Sequence, residues 1–544
     1  MKKALFVGLT FLSAFFPLSK IQAQKSNAPA VSRPKLVIGI VVDQMRWDYL
    51  YRFADRYGSG GFNRMLGKGF SCENAFIPYT PTYTAPGHAS IYTGSVPAIN
   101  GIIGNAWYSR QLRKSWYCTA DSTVYSVGGS SAGKMSPDNM WTTTVTDELR
   151  LASNFQSKVI GIALKDRGAI LPAGHTANAA YWFDDSTGNF ISSSYYFNEL
   201  PSWVNNFNNK KLPDNYLNTN WNTLFPLSTY KISTADKKDY ESSNNKMTNT
   251  FPHITSGIIK NKYSVLRTTP SGNTITIDMA KAAIEGEQLG KSAAACDFLA
   301  ISFSSTDYVG HSFGPNSIEI EDTYLRLDKD LAAFFAYLDQ TIGAGQYLLF
   351  LTADHAVAHI PAFLKEHNVP AGSLEDSIIE KQINAILKRQ FNLERGVEKV
   401  TNFQVYLNSE ISTNEIENVK KAVIKELLSI PFVSMAVDLQ HLPEAALVEP
   451  IKKMLINGYN QKLSGDIQFV YKPHWFDGSN KGTTHGAWNP YDSHIPLLWY
   501  GWGIKVGKSN KECYMTDIAP TLSALLHIQM PSGCVGKVIT EVMK

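Results

Sequence analysis

Three apolar runs of β type each deliver an aspartate at the carboxyl end. L-V-I-G-I-V-V at 36–42 runs into Asp43, D-F-L-A-I-S-F at 297–303 precedes Asp307, and Y-L-L-F-L at 347–351 precedes Asp354. Helix-like stretches separate such runs, which is the βαβ rhythm of a parallel sheet. In open α/β sheets, ligands bind outside the carboxyl ends of the strands. Two of the three runs also bring a histidine, His311 in T-D-Y-V-G-H and His355 in T-A-D-H. Carboxylates and imidazoles gathered at strand ends suit a hard or borderline divalent metal such as zinc.

The alternation can be followed along the chain. Residues 35–170 carry strands at 36–42 and 158–164, with helices near 62–66, 89–92 and 143–151. It resumes with a helix at 280–289, strand 297–303, helix 318–341 and strand 346–351. It closes with strand 495–501 and a helix near 517–526, which has Pro520 in its first turn. Two stretches interrupt it. Residues 172–265 are rich in Asn, Ser, Tyr and Trp and read as an irregular lid. Residues 365–478 read as a small α+β cap. The fold class expected is an α/β sandwich, a mostly parallel sheet flanked by helices, with both insertions lying inside one catalytic domain spanning 24–544.

Residues 1–23 have the form of a secretory signal: Lys2 and Lys3, an apolar stretch from Leu5 to Leu18, and Ala23 for cleavage. Ser13 and Pro17 break the stretch, which falls short of the roughly 20 residues a membrane span needs. A periplasmic or secreted protein with no membrane span is therefore expected. Removing residues 1–23 takes three lysines and no acid, so the formal charge falls from +4 to +1. The chain without them is not a polycation, and nothing in that balance argues for nucleic acid as a bulk partner. Cys72, Cys118, Cys296, Cys513 and Cys534 include no C-x-x-C, which argues against a thiolate zinc site. Export permits disulfides; the expected pairs are Cys513–Cys534 and Cys72–Cys118, with Cys296 a free core thiol.

Six residues form the metal candidate: Asp43, Asp307, His311, Asp354, His355 and the later His485 in T-T-H-G-A-W. Three carboxylates and three imidazoles exceed what one zinc needs and suit two. A strand-end aspartate is ordinarily a cap and a buried histidine ordinarily a packed core residue, but six together at strand ends point to a site. Thr84, in T-A-P-G-H-A-S-I-Y-T-G, puts a hydroxyl in a loop that enters a helix, where free N–H groups favour an anion. A threonine hydroxyl becomes a nucleophile when a base or metal lowers its pKa. Asn105, on the loop N-G-I-I-G-N, can donate to a bound anion. Lys165 and Arg167, in A-L-K-D-R-G-A-I just after a strand, share one face of an extended segment. Together they can clamp a doubly charged oxyanion, Arg bidentately and Lys as a point charge.

These strings together resemble the alkaline phosphatase superfamily, and within it the phosphate-irrepressible, PafA-type alkaline phosphatases. The likeness covers nearly the whole chain after residue 23. It rests on V-V-D-Q-M-R, T-A-P-G-H-A, N-G-I-I-G-N, L-K-D-R-G-A, S-S-T-D-Y-V-G-H, T-A-D-H, T-H-G-A and T-D-I-A-P-T-L-S-A-L-L. The resemblance implies two zinc ions, one held by Asp307, His311 and His485. The other would be held by Asp43, Asp354 and His355, with Thr84 as exchangeable ligand. It implies that Thr84 is the nucleophile of a phosphothreonine intermediate, and that Asn105, Lys165 and Arg167 hold phosphoryl oxygens. The implied substrates are phosphate monoesters, and a monomer is expected because the insertions would cover the superfamily's dimer surface.

Three other readings fit parts of this pattern. A phosphodiesterase or nucleotide pyrophosphatase shares the core, but its substrate carries one negative charge where the Lys165–Arg167 pair suits two. A sulfatase needs a Cys or Ser followed by x-P-x-R, and this chain reads Thr84-Ala85-Pro86-Gly87-His88. A non-catalytic zinc protein would ordinarily hold its metal in a closed, cysteine-rich site, which this chain lacks.

Overall fold

The computed structural model describes residues 32–242, 247–292 and 295–544; the expected signal segment lies outside them. Among the described residues the central sheet has eleven strands. Its middle is five parallel strands in the order Tyr347–Thr352, Leu36–Val42, Asp297–Phe303, Val159–Ala163, Ala179–Asp184. Every residue of these strands is buried. Strands sandwiched between helix layers need apolar side chains on both faces, which is why the sequence runs are mostly apolar rather than alternating. Leu497–Gly501 and Asn189–Ser193 flank this core antiparallel. The helices Ser271–Gly286 and Ile318–Leu338 are among those that cover it.

The register brings the carboxyl ends level. Val41 pairs with Thr352 on one side and Ser302 on the other, and Ser302 pairs with Ala163. Asp43, Asp354, Asp307 and Lys165 therefore all emerge at one edge of four adjacent strands.

The 172–265 stretch begins inside this core. Ala179–Asp184 is a parallel strand of the sheet and Asn189–Ser193 pairs beside it, so the irregular part starts only after Ser193. Flanking Asn and Ser residues masked a short apolar run, A-A-Y-W-F-D. Within 365–478, a four-stranded antiparallel sheet orders Val397–Thr401, Gln404–Leu407, Ile467–Tyr471 and Val433–Asp438. Helices Asp376–Phe391 and Ile416–Ser429 pack on it through Ile379, Ile383, Val419 and Val423. Tyr83, which directly precedes Thr84, packs against this second core.

The cysteine pairing departs from expectation, since all five thiols are free. Cys72, on strand Phe70–Phe76, neighbours Cys513 on the parallel strand Gly507–Tyr514. Cys118 is buried with Trp107 and Ile102, and Cys534 lies beside Gly94. Sheet pairing, rather than order along the chain, sets which thiols meet. No described helix is long and apolar enough to cross a membrane.

Candidate metal centre

Each candidate side chain is delivered by an element whose local sequence fixes it. Asp43 follows the Leu36–Val42 strand directly and Asp354 lies two residues past Tyr347–Thr352. Asp307 and His311 sit on helix Ser305–Phe313. Their i, i+4 spacing puts both on one helical face, and His311 Nε2 meets Asp307 Oδ1 at 3.1 Å. Thr84 is the first residue of helix Thr84–Thr93, whose residues are all buried. Gly87 lets that helix abut the Asp354 backbone, because a Cβ there would collide with the Asp354 carbonyl.

The carboxylates and imidazoles form two compact groups, Asp43/Asp354/His355 and Asp307/His355/His485, each with ligand atoms within 4.8 Å of one another. His355 thus borders both. His355 Nε2 is 3.4 Å from Asp43 Oδ1 and 3.6 Å from Asp354 Oδ2. His485 Nε2 is 3.7 Å from Asp307 Oδ1. His311 joins through Asp307 and is the most open of the six, its side chain 32% exposed.

These residues fit a divalent metal. Nδ1 of His311, His355 and His485 donates to the carbonyls of Thr483, Ala356 and Thr82 at 2.7, 2.9 and 2.7 Å. That arrangement leaves every Nε2 with its lone pair available to a metal. Asp43 Oδ1 and Asp354 Oδ2 are buried with no hydrogen-bond partner, a costly state for a carboxylate unless a cation satisfies it. Burial, with His355 and His311 adding to it, holds His485 well below its usual range. Burial also lowers His355, offset only in part by Asp354 and Asp307. Both are therefore neutral imidazoles, the ligating form.

Lys165 closes the group. Its ammonium donates to Asp43 Oδ2 and Asp307 Oδ2, each at 2.6 Å, and lies 3.5 Å from Thr84 Oγ1. Burial alone would lower it, but Asp307 and Asp43 outweigh burial and keep it charged. Against burial, His311 and Lys165 bring Asp307 well below the usual carboxylate range. Asp43 goes the other way, raised by burial and by Asp307 and Asp354 against the pull of Lys165. Three buried carboxylates exceed the positive charge that one lysine supplies.

Lys165 and Arg167 do not share an extended face. Lys165 precedes helix Asp166–Ala173 and Arg167 lies in its first turn. Arg167 Nη1 donates to the Tyr117 hydroxyl at 2.9 Å, and that hydroxyl donates to Asp166 Oδ1 at 2.7 Å. Asn105 Oδ1 accepts from the Ala85 N–H at 2.9 Å, which ties the Asn105 loop to the start of the Thr84 helix and leaves its amide N–H groups to donate elsewhere.

Three buried or half-buried residues carried no role in the sequence. His88 lies one turn below Thr84 and bonds the Thr84 carbonyl through Nδ1 and Ser302 Oγ through Nε2, both at 2.8 Å. Its i, i+4 spacing from Thr84 in T-A-P-G-H was the available signal. Tyr117 gave no local signal. Gln44, next to Asp43, was hidden because glutamine is rarely read as part of a metal site.

The Type I phosphodiesterase / nucleotide pyrophosphatase family matches residues 37–493. Alkaline phosphatase PhoV of Synechococcus elongatus is 53% identical over 538 residues, 97% of both chains. Alkaline phosphatase PafA of Elizabethkingia meningoseptica is 53% identical over 531 residues, 96% of both. The crystal structure of wild-type PafA superposes with a TM-score of 0.91 at 52% identity, covering 95% of this chain and all of that one.

Proposed function

The chain belongs to the type I phosphodiesterase/nucleotide pyrophosphatase family of the alkaline phosphatase superfamily, and from that membership we infer a phosphomonoesterase that works through Thr84. The observation that carries the reading is the position of Thr84 Oγ1, 3.5 Å from Lys165 Nζ and 3.4 Å from His355 Nε2. The hydroxyl lies between a fixed cation and both ligand groups.

Two zinc ions held by Asp43, Asp354, His355, Asp307, His311 and His485 would supply Lewis-acid charge for the attacking and leaving oxygens. Thr84 Oγ1 attacks phosphorus, and the bond to the leaving alcohol breaks as the Oγ1–P bond forms. Water then attacks the phosphothreonine, releasing inorganic phosphate and restoring Thr84. Lys165 offsets negative charge gathering on Thr84 and the phosphoryl group. Arg167, oriented by Tyr117, and the Asn105 amide hold the remaining equatorial oxygens, a preorganised electrostatic cradle. The cap at 365–478, reaching Tyr83 beside the nucleophile, borders the leaving group. Residues 1–23 direct export, and the mature chain works as a periplasmic or secreted monomer.

The family also contains diesterases, so substrate charge is the point to test. On purified protein, kcat/KM for an aryl phosphate monoester exceeds that for the matching diester, and Thr84→Ala lowers monoester turnover by about 1,000-fold or more. Undiminished activity in Thr84→Ala would remove the nucleophile, and faster diester turnover would place the chain with the diesterases.

A further inference from the structure

Gln44 touches both ligand groups from a backbone conformation that glutamine seldom adopts. It follows Asp43 at φ +67°. The Met45 N–H donates to the Val42 carbonyl at 3.1 Å, so Gln44 is the third residue of a tight turn. A left-handed residue at that position is ordinarily glycine or asparagine. A long side chain held there against its preference marks a position where something else over-determines the conformation.

The contacts show what that is. The Gln44 main-chain N–H donates to Asp354 Oδ1 at 3.1 Å. Its side-chain amide donates to Asp307 Oδ1 at 2.7 Å. The His355 N–H also donates to Asp354 Oδ1, at 3.0 Å, so one oxygen of Asp354 is occupied and the buried Oδ2 faces the centre. Gly310, between Asp307 and His311, exists in a form that admits the amide: a Cβ there would run into Gln44 Oε1. Gln44 itself is buried.

We propose that Gln44 is a positioning residue that fixes the two ligand groups relative to each other, its backbone setting Asp354 and its side chain setting Asp307. The inference rests on the two-metal reading above. The left-handed turn is needed to aim the side chain across to Asp307, and only a side chain of this length with a terminal N–H reaches it. Glycine would relieve the turn and remove the link.

The test compares Gln44→Met, which keeps length and strain without the N–H, with Gln44→Gly, which suits the turn. Zinc affinity of the purified chain is measured by competition with a chromogenic chelator, alongside melting of the metal-free protein. Both variants hold one zinc as wild type does and the other about 10- to 100-fold more weakly, the usual effect of losing an outer contact to a ligand. Metal-free Gln44→Gly melts no lower than wild type. Gly310→Ala, which displaces the amide from the other side, gives the same selective weakening. Two zinc ions held equally by wild type and variants would overturn the inference alone, as would equal weakening of both. A wild-type chain that takes up fewer than two zinc ions would overturn the two-metal reading and this inference with it.

Discussion

The imidazoles of His355 and His485 stack with centroids 3.4 Å apart and planes 16° apart, one reaching the site from strand Tyr347–Thr352 and the other from near the end of the chain. Two imidazolium rings would repel at this distance, and burial holds both neutral. The two ligand groups are therefore one packed unit. Removing either ring disturbs its neighbour, so the effects of His355→Ala and His485→Ala on monoester kcat/KM fall short of additive. Each single change costs roughly 100-fold or more, and the double variant costs less than the product. Steady-state kinetics on the three proteins checks this.

Lys165 is the next residue to probe. It bridges Asp43 and Asp307 at 2.6 Å each, and its loss leaves two buried carboxylates facing each other. Lys165→Ala lowers monoester kcat/KM by about 100-fold, within the range for loss of one electrostatic donor, and lowers diester turnover less. Lys165→Arg does not restore it, because a planar guanidinium cannot occupy a point-charge site between two carboxylates. Equal losses on both substrate classes would remove the charge-matching role.

Gly87 tests the packing beneath Thr84, the proposed nucleophile. A Cβ at 87 would collide with the Asp354 carbonyl and lie 2.6 Å from the Asp354 Cβ, so Gly87→Ala forces the helix from the strand end. Overpacking of this kind costs about 2 kcal/mol, read from the denaturant midpoint, and monoester turnover falls with it although no proposed site residue has changed.

Asp147 contributes to acid stability from outside the two ligand groups. It caps helix Val145–Ala152 with Thr144 and accepts from the Thr176 N–H and hydroxyl at 2.7 and 2.8 Å. Burial works to raise its carboxyl, yet the His175 contact and backbone N–H bonds pull it down to about 2. A carboxyl depressed in the folded state stabilises fully above its unfolded value and loses that contribution as pH falls through the folded one. The loss therefore falls between about pH 4 and pH 2. His175 acts in the opposite sense: burial lowers it, but Asp147 outweighs burial and raises it, so its share fades as pH rises past its ordinary value. Asp147→Asn flattens the acid limb of a Tm–pH curve and leaves catalysis above pH 7 unchanged.

Much of the site was readable because the strands that carry it are buried on both faces. Leu36–Val42, Asp297–Phe303 and Tyr347–Thr352 are buried along their length and carry no charge after Asp297, so the position of Asp43, Asp307 and Asp354 could be read from long, largely apolar runs. The Asp307–His311 helix was obscured by Gly310, which reads as a turn yet is there to admit Gln44. Strand Phe70–Phe76 was invisible because Glu73 and Asn74 lie within it. The Lys165–Arg167 geometry failed because the chain bends into a helix between them, and the cysteine partners failed because Cys72 meets Cys513 through strand pairing that no local pattern announces.

The ligands span the chain from Asp43 to His485, drawn from loops after strands that are neighbours in space and strangers in sequence. A nascent chain cannot assemble both ligand groups until nearly all of it has emerged and the last loop has docked. A chain cut before Gly482 lacks a ligand of the Asp307 group and also the Thr483 carbonyl that orients His311. Metal uptake therefore reports completion: a fragment can build most of the sheet and still fail to acquire the chemistry.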